Sequence, residues 1–222
     1  MNPRFPTVSV IIPSYNAAAF LAEALGSVCA QTFADFEIIA VDDGSSDGSR
    51  AMLRGWPDAR LRWSTQPHQG AAAARNAGVL LARARYVAFL DADDVWLPGK
   101  LAAQVAALEA DPALMLVFGH YQAFGRGGEQ PAAPGYSSGT LLARRAAFLK
   151  VGLFATHWRV GEFIDWYARA DEAGLARALQ PDVVLRRRVH AGNLTRGARQ
   201  DYAAVLAAMR RRRAASPAAI SA

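Results

Sequence analysis

The stretch that decides the fold is residues 86–94, YVAFLDADD, in which a short apolar run ends in three acidic residues. Two earlier stretches have the same form, residues 8–16, VSVIIPSYN, and residues 36–45, FEIIAVDDGS. Apolar runs this short, rich in β-branched residues, predict buried strands and are too short for helices. The predicted strands are Val8–Ile12, Phe36–Val41 and Tyr86–Leu90, and each is followed by polar side chains.

Segments with helical spacing separate or follow these strands. Residues 18–30 place apolar side chains three and four positions apart, which gives one apolar helical face. Residues 71–82 and 98–110 have similar spacing, and Pro98 suits the first turn of the second helix. Strands that alternate with helices predict right-handed βαβ units and a doubly wound, Rossmann-like sheet.

Beyond Asp111 the pattern is looser. It predicts strands at 114–119 and 183–189, a loop at 125–139, and helices at 141–151, 162–173 and 198–213. We therefore predict a single α/β domain, with a mostly parallel twisted sheet and helices on both faces, over residues 1–198. Within it, residues 7–111 form the nucleotide-binding part and residues 112–198 the acceptor part. A short basic C-terminal helix and tail, residues 199–222, follow.

Composition excludes several classes of protein. The chain has 222 residues and a net charge of +6, but seven of its 25 Lys and Arg lie at 186–188 and 210–213. Without a groove-reading motif this local excess does not predict nucleic-acid binding, although the basic tail could contact an anionic membrane surface. The single cysteine, Cys29, predicts a buried thiol. With no signal-like start and no apolar stretch of membrane-spanning length, we expect a cytoplasmic protein, with possible peripheral contact at the inner face of the cell membrane.

The acidic cluster after residue 90 predicts a cation site. Ligands of open α/β sheets bind at the carboxyl ends of the strands, so polar residues there are candidates for the site. Asp91, Asp93 and Asp94 repel one another, and a hard divalent cation relieves that repulsion. Oxygen ligands of this kind suit Mg²⁺ or Mn²⁺ held together with substrate phosphates, where the cation helps a diphosphate to leave.

Four stretches, in this order and spacing, resemble the inverting family 2 glycosyltransferases of the GT-A fold: VSVIIPSYN, DDGSSDGS, GAAAARNAG and FLDADDVWLPGKL. The resemblance covers Thr7 to Leu108 and continues more weakly to Thr195. It implies a GT-A domain of the hexosyltransferase type. Such an enzyme moves a sugar from a nucleotide-diphosphate sugar, for which we expect a UDP-sugar, to an acceptor hydroxyl with inversion. The acceptor would be a saccharide, a lipid-linked molecule or another hydroxyl compound, and the cofactor Mn²⁺ or Mg²⁺.

The resemblance also implies roles for individual residues. Tyr15 would stack on the base, Asp43 would accept from a ring N–H, and Arg75 would close over the base. Asp91 would bind ribose or metal, Asp93 would coordinate the metal, and Asp94 would cap the next helix. His190, in RRRVHAGNLT, would approach the metal or the diphosphate. The expected nucleotide-sugar contacts are Pro13, Tyr15, Asn16, Asp42, Asp43, Arg75, Asp91, Ser138 and Gly139, and the expected metal ligands are Asp91, Asp93 and His190.

One departure from the family pattern concerns the general base. In family members an aspartate near the start of this helix acts as the general base. When residues 161–169, GEFIDWYAR, are aligned on Arg169, Phe163 occupies the position of that aspartate. Glu162 and Asp165 lie three apart on the predicted helix and share a face, so either could accept the proton, with Glu162 preferred. Both could instead be first-turn carboxylates of a solvated helix. The chain would then be a catalytically silent nucleotide-sugar binding module. A nucleotidyltransferase is disfavoured, because SYNAAA replaces the Gly-rich, basic loop that such enzymes have after the first strand.

Overall fold

The computed structural model describes residues 5–194 and 197–215, and its central feature is a nine-stranded sheet. The strands follow the order β3-β2-β1-β4-β8-β6-β9-β5, and β7 pairs with β6. Strands β1 to β4, β6 and β9 run in one direction, whereas β5, β7 and β8 run in the other. The bounds are β1 Val8–Ser14, β2 Phe36–Asp42, β3 Leu61–Thr65, β4 Tyr86–Phe89, β5 Val95–Trp96, β6 Leu116–Gly125, β7 Ala133–Gly135, β8 Leu142–Arg144 and β9 Arg177–Val189.

Helices cover both faces of this sheet. They are α1 Leu21–Cys29, α2 Ser49–Gly55, α3 Ala71–Leu81, α4 Lys100–Ala110, α5 Arg145–Val151, α6 Glu162–Glu172 and α7 Arg199–Ala215, and residues Ser138–Thr140 form a 3₁₀ turn. The predicted sheet, parallel in most of its strands with helices on both sides, is therefore confirmed. Among the described residues, no helix combines the length and apolarity needed to cross a membrane.

The side chains of β1 alternate between the two faces of the sheet and pack into two separate hydrophobic cores. Successive side chains of a strand point to opposite faces. Val10 packs in a cluster with α1, α2 and α4 on one face, through residues such as Leu25, Leu53 and Leu101. Its neighbour Ile11 packs in the cluster of α3, α5 and α6 on the other face. Strand β1 is buried on both faces, and its sequence is accordingly mostly apolar, as in parallel sheets generally.

The structure corrects several predicted elements. The predicted helix at 141–151 is wrong in its first part, because residues 142–144 form strand β8 between β4 and β6. Helix α4 begins at Lys100, so Pro98 lies before it. The predicted loop at 125–139 contains β7, and strand β6 continues to Gly125. Strands β3 and β5 and helix α2 were not predicted, since all are short and β3 is only half-buried.

Close contact between α3 and β1 depends on Gly78, and this gives a first prediction. A Cβ at Gly78 would lie 2.4 Å from Ile11 Cγ2. Gly78→Ala should therefore lower the free energy of unfolding by about 2 kcal/mol through overpacking. Gly26→Ala, also within a helix but with nothing within 4 Å of its Cβ position, is the matched control. It should be neutral or gain up to about 1 kcal/mol from helix propensity. Urea denaturation of both variants measures the difference; equal stabilities would contradict the packing argument.

Candidate active site

The carboxyl ends of β1, β2 and β4 open into one cavity of about 1220 Å³. Because these parallel strands are neighbours in the sheet, the polar residues that follow them meet at a single edge. The cavity extends across the sheet to the start of α6 and the end of β9. The predicted site residues that line it are Pro13, Tyr15, Asn16, Asp43, Arg75, Asp91, Asp93, Ser138, Glu162 and His190.

Asp43 organises the loop that connects β3 to α3. Its Oδ1 accepts from Gln66 Nε2 at 2.7 Å and from the Gln69 N–H at 2.9 Å, and its Oδ2 accepts from the Gly70 N–H at 2.8 Å. His68 Nδ1 lies 2.9 Å from the same Oδ2. The predicted hydrogen bond from a ring N–H of a nucleotide base to Asp43 could form only if one of these donors moved away. The half-exposed His68 is the donor that is freest to move.

Tyr15 and Asn16 follow β1 in different ways. The exposed ring of Tyr15 stacks on His68, with 3.9 Å between ring centroids. Asn16 has a positive φ of 48°, which Asn tolerates better than most residues, and its Oδ1 accepts from the Ser46 N–H at 2.9 Å. Tyr15 therefore offers an aromatic face to the cavity, whereas the Asn16 side chain fixes the loop after β2.

Arg75 links the two halves of the cavity. Its guanidinium is buried on α3 and donates to Asp91 Oδ1 at 2.5 Å and to Glu162 Oε1 at 2.6 Å. Burial alone would lower the pKa of Arg75, but the two carboxylates outweigh it and raise the pKa above its usual range. Arg75 thus lies between Asp91, the carboxylate expected at the ribose or metal, and Glu162, the candidate base, and its position over the nucleotide base stays a prediction.

The acidic loop after β4 concentrates negative charge. Asp91 and Asp93 are partly exposed, whereas Asp94 is buried and its Oδ1 accepts from the Arg188 N–H at 2.7 Å. Burial, followed by the charges of Asp91 and Asp93, raises the pKa of Asp94 well above its ordinary value. Asp94 does not cap the next helix as predicted, since α4 begins six residues later with Gly99 at its N-cap.

Asp93 lies at the junction with the end of β9. Its Oδ2 is 2.9 Å from His190 Nε2 and accepts from Asn193 Nδ2 at 3.2 Å. Among the residues that the structure describes, no three carboxylate, imidazole or thiol groups are arranged to hold a metal ion. A cation bound at Asp93 would therefore need oxygen ligands from a bound molecule. Magnesium sites built from one or two carboxylates and substrate phosphates have this character, so the residues present fit such an ion.

Glu162 enters the cavity because of how α6 begins. Gly161 precedes the helix with φ +87°, a conformation that side chains rarely adopt, and turns the chain so that Glu162 is the first helical residue. The Glu162 side chain is 14% exposed and lines the cavity opposite the acidic loop. Phe163 also lines the cavity but packs edge-on against Phe118. Phe163 stands where the family has its aspartate base, and the carboxylate that lines the cavity is that of its neighbour, Glu162.

Asp165, the second predicted base, is not part of the cavity lining. It is buried on the side of α6 that contacts α7, where Arg169 Nε donates to its Oδ2 at 3.0 Å and Arg212 Nη1 to its Oδ1 at 2.8 Å. These bonds make Asp165 a structural ion-pair partner, and it does not line the cavity as a base for the acceptor would have to.

Two predicted nucleotide-sugar contacts also lie outside the lining. Asp42 is fully buried in β2, where Oδ2 accepts from Arg50 and Thr65. Gly139 is buried, and its carbonyl accepts from Trp96 Nε1 at 2.9 Å. Both residues support the site from behind the cavity wall.

Buried polar side chains hold the turn that presents Ser138. Gln104 Nε2 donates to the Thr140 carbonyl at 2.8 Å, and Lys100 Nζ donates to Gln104 Oε1 at 2.6 Å and to the Leu141 carbonyl at 3.2 Å. Lys100 also lies over the Trp96 ring, 4.5 Å from its centroid. Burial lowers the pKa of Lys100 well below its usual value. The turn is thus fixed from α4, which makes Ser138 a rigid part of the wall.

The cavity lining includes polar residues that were not predicted from the sequence, among them His68, Asn193 and Tyr202. His68 lies in a polar loop after β3, and recognising that strand would have placed the loop at the same sheet edge. Asn193 is three residues after His190, within the segment already compared with the family. Nothing in the sequence pattern identifies Tyr202, because it reaches the cavity only through the docking of α7 against Gly161.

Some of the arginines of the basic C-terminal helix form salt bridges with other parts of the chain. Arg212 pairs with Asp165 and Glu172, and Arg213 pairs with Asp171 and Glu172. At the other end of α7, Asp201 pairs with Arg159. The helix predicted at 198–213 is confirmed, whereas contact of the tail with a membrane surface stays a prediction. Residues 216–222 of that tail lie outside the described residues.

The fold and this cavity define a class of protein. Parallel strands β3, β2, β1 and β4 form one half of the sheet and end at the cavity, a mixed half continues the sheet, and Glu162 of α6 faces the same cavity. The model of the family "Glycosyl transferase family 2" matches residues 9–164, and the chain belongs to this family.

Curated relatives agree with this assignment. One is UDP-Glc:alpha-D-GlcNAc-diphosphoundecaprenol beta-1,3-glucosyltransferase WfgD of Escherichia coli, 37% identical over 116 residues, which are 52% of this chain and 46% of WfgD. Another is the uncharacterized glycosyltransferase alr2836 of Nostoc, 49% identical over 98 residues, which are 42% of this chain and 30% of the relative. The chain thus matches less than half the length of these two relatives.

Solved structures share the fold. TarS 1-349 of S. aureus in complex with UDP-GlcNAc superposes with a TM-score of 0.79 at 19% identity, covering 91% of this chain and 65% of TarS 1-349. The mannosyltransferase PcManGT of Pyrobaculum calidifontis, in complex with GDP-Man and Mn²⁺, superposes with a TM-score of 0.76 at 24% identity, covering 96% and 65%. The predicted GT-A fold is therefore confirmed.

Proposed function

We propose that this chain is a glycosyltransferase that moves a sugar from a UDP-sugar to an acceptor hydroxyl with inversion, assisted by Mn²⁺ or Mg²⁺. The observation that supports this most strongly is the single cavity in which Arg75 joins Asp91, on the nucleotide side, to Glu162, on the opposite side. Binding groups and a candidate base thus face the same space, as a direct displacement requires.

The nucleotide would bind along the ends of β1, β2 and β4. Tyr15 offers a face for base stacking, and Asp43 with its loop forms the surrounding wall. Asp91 and Asp93 would hold the diphosphate through the divalent cation, which when bound neutralises phosphate charge and makes the diphosphate a better leaving group. Two observations favour UDP over other nucleotides: the name of WfgD specifies UDP-Glc, and TarS binds UDP-GlcNAc.

Glu162 would act as the general base. Its Oε1 is bonded to Arg75, so the other carboxylate oxygen would accept the proton of the acceptor hydroxyl. The acceptor oxygen then bonds to the anomeric carbon while the bond from that carbon to the diphosphate oxygen breaks. Attack opposite the leaving group inverts the configuration. We propose a saccharide acceptor, in lipid-linked form as the name of WfgD states for that relative.

A thermal-shift screen tests donor binding. UDP-glucose, UDP-GlcNAc and GDP-mannose are added with and without Mn²⁺, since a ligand that prefers the folded state raises the melting temperature. We expect the largest shift for a UDP-sugar with Mn²⁺. Tyr15→Ala should weaken that binding about tenfold, which corresponds to the loss of one base-stacking contact. Leu80→Ala, an exposed change on α3, should not. No shift with any nucleotide, or an equal effect of both variants, would contradict the proposed binding mode.

A further inference from the structure

The turn of residues 190–193 holds Asp93 through two donors to one oxygen. His190 Nε2 lies 2.9 Å from Asp93 Oδ2, and Asn193 Nδ2 donates to the same atom at 3.2 Å. The Arg188 side chain adds a third contact from this segment, because its Nε donates to the Asp93 carbonyl at 2.9 Å. The end of β9 therefore fixes both the backbone and the carboxylate of Asp93.

Neighbouring backbone groups determine the orientation of the Asn193 amide. The His190 N–H, which can only donate, lies 2.6 Å from Asn193 Oδ1. The Arg188 carbonyl, which can only accept, lies 3.1 Å from Asn193 Nδ2. The amide nitrogen must therefore point toward Asp93, and Asn193 acts as a donor to the carboxylate.

A third backbone group determines the tautomer of His190. The Gly192 N–H donates to His190 Nδ1 at 3.2 Å, so that nitrogen must be the unprotonated acceptor. In the neutral ring the proton then lies on Nε2, the atom that meets Asp93. A histidine that ligates a metal through Nε2 needs its proton on Nδ1, where the Gly192 N–H already points.

We propose that His190 and Asn193 are positioning residues that hold the Asp93 carboxylate through Oδ2, and that His190 does so as a hydrogen-bond donor instead of as a metal ligand. Asp93 Oδ1 is then the oxygen oriented for the cation. This part rests on the proposed function, whereas the tautomer of His190 does not. His190 is thereby assigned to orienting Asp93, in place of its predicted role as a ligand of the metal ion.

The tautomer is tested directly in the full chain. Histidine labelled with ¹⁵N is observed by long-range proton–nitrogen correlation, first without metal and then with Mg²⁺ and UDP. The His190 signals are those that disappear in His190→Gln. We expect a protonated Nε2 and an unprotonated Nδ1 in both states. A proton on Nδ1, in either state, would overturn the inference.

Binding of Mn²⁺ in the presence of UDP or GDP, measured from the electron paramagnetic resonance of free Mn²⁺, tests the positioning role. His190→Ala and Asn193→Ala should weaken binding about 10-fold to 100-fold, the usual effect of losing a partner of a metal ligand. His190→Gln should retain affinity, because its amide N–H can still donate to Asp93. His120→Ala, on β6 and outside the cavity lining, is the matched control.

Two results would overturn the inference. One is Mn²⁺ binding by His190→Gln that is as weak as that of His190→Ala. The other is unchanged binding by Asn193→Ala at an unchanged melting temperature. Failure of the unaltered chain to bind Mn²⁺ with either nucleotide would instead overturn the proposed cation site, and the nitrogen signals would still decide the tautomer.

Discussion

Glu162→Gln is expected to reduce kcat by about 100-fold to 10,000-fold, the range associated with loss of a general base. The amide cannot accept the acceptor's proton, but its oxygen can still accept the bond from Arg75 Nη1 that Glu162 Oε1 accepts at 2.6 Å. Donor binding should therefore change little. Release of nucleoside diphosphate, with an acceptor on which the unaltered enzyme turns over, measures the effect.

Asp165→Asn provides the matched control, since it alters the other carboxylate at the start of α6. Its bonds to Arg169 and Arg212 are structural, so the variant should melt at a lower temperature but keep kcat within a few-fold. Parental turnover in Glu162→Gln would remove Glu162 as the base. If the unaltered chain binds a donor but neither transfers nor hydrolyses it, the alternative of a silent binding module becomes the better account.

Asp93→Asn is expected to weaken nucleotide binding in the presence of Mn²⁺ by about 100-fold, or about 3 kcal/mol. The side chain keeps its size but loses the charge that would hold the cation. Without metal, the variant and the unaltered chain should bind the nucleotide with similar, weak affinity. Isothermal titration with the donor chosen by the thermal-shift screen gives both values.

Asp182→Asn, an exposed change on β9, controls for the loss of one negative charge. It should leave the Mn²⁺-dependent affinity unchanged. An equal loss of affinity with and without metal in Asp93→Asn would mean that Asp93 contacts the nucleotide itself, and it would contradict a cation between them.

The half of the cavity proposed to bind the nucleotide could be predicted from sequence because its geometry is local. Parallel strands carry their following residues to one edge, so short apolar runs ending in Tyr15, Asp43 and Asp91 were sufficient to predict that these side chains meet. The same reasoning placed Asp42 in the site. It could not show that Asp42 is the last residue of β2 and is buried by Arg50 and Thr65.

The opposite half depends on packing between distant segments. Spacing placed Glu162 and Asp165 on one helical face as two candidate bases, with Glu162 preferred, and the structure separates them because Arg212 of α7 binds Asp165. Strand β8 has only three residues within a stretch of helical spacing, and its pairing with β4 and β6 decides its conformation. The charge of the DADD segment predicted a cation site, but only the contacts at the end of β9 show which groups hold Asp93.

A crystal structure with Mn²⁺ and the donor chosen by the thermal-shift screen tests the central claim most directly. We expect anomalous density for manganese bonded to Asp93 and to both phosphoryl groups, with the base on Tyr15 and the sugar turned toward Glu162. A nucleotide bound outside this cavity, or diphosphate oxygens held only by protein side chains with no metal beside Asp93, would contradict the account.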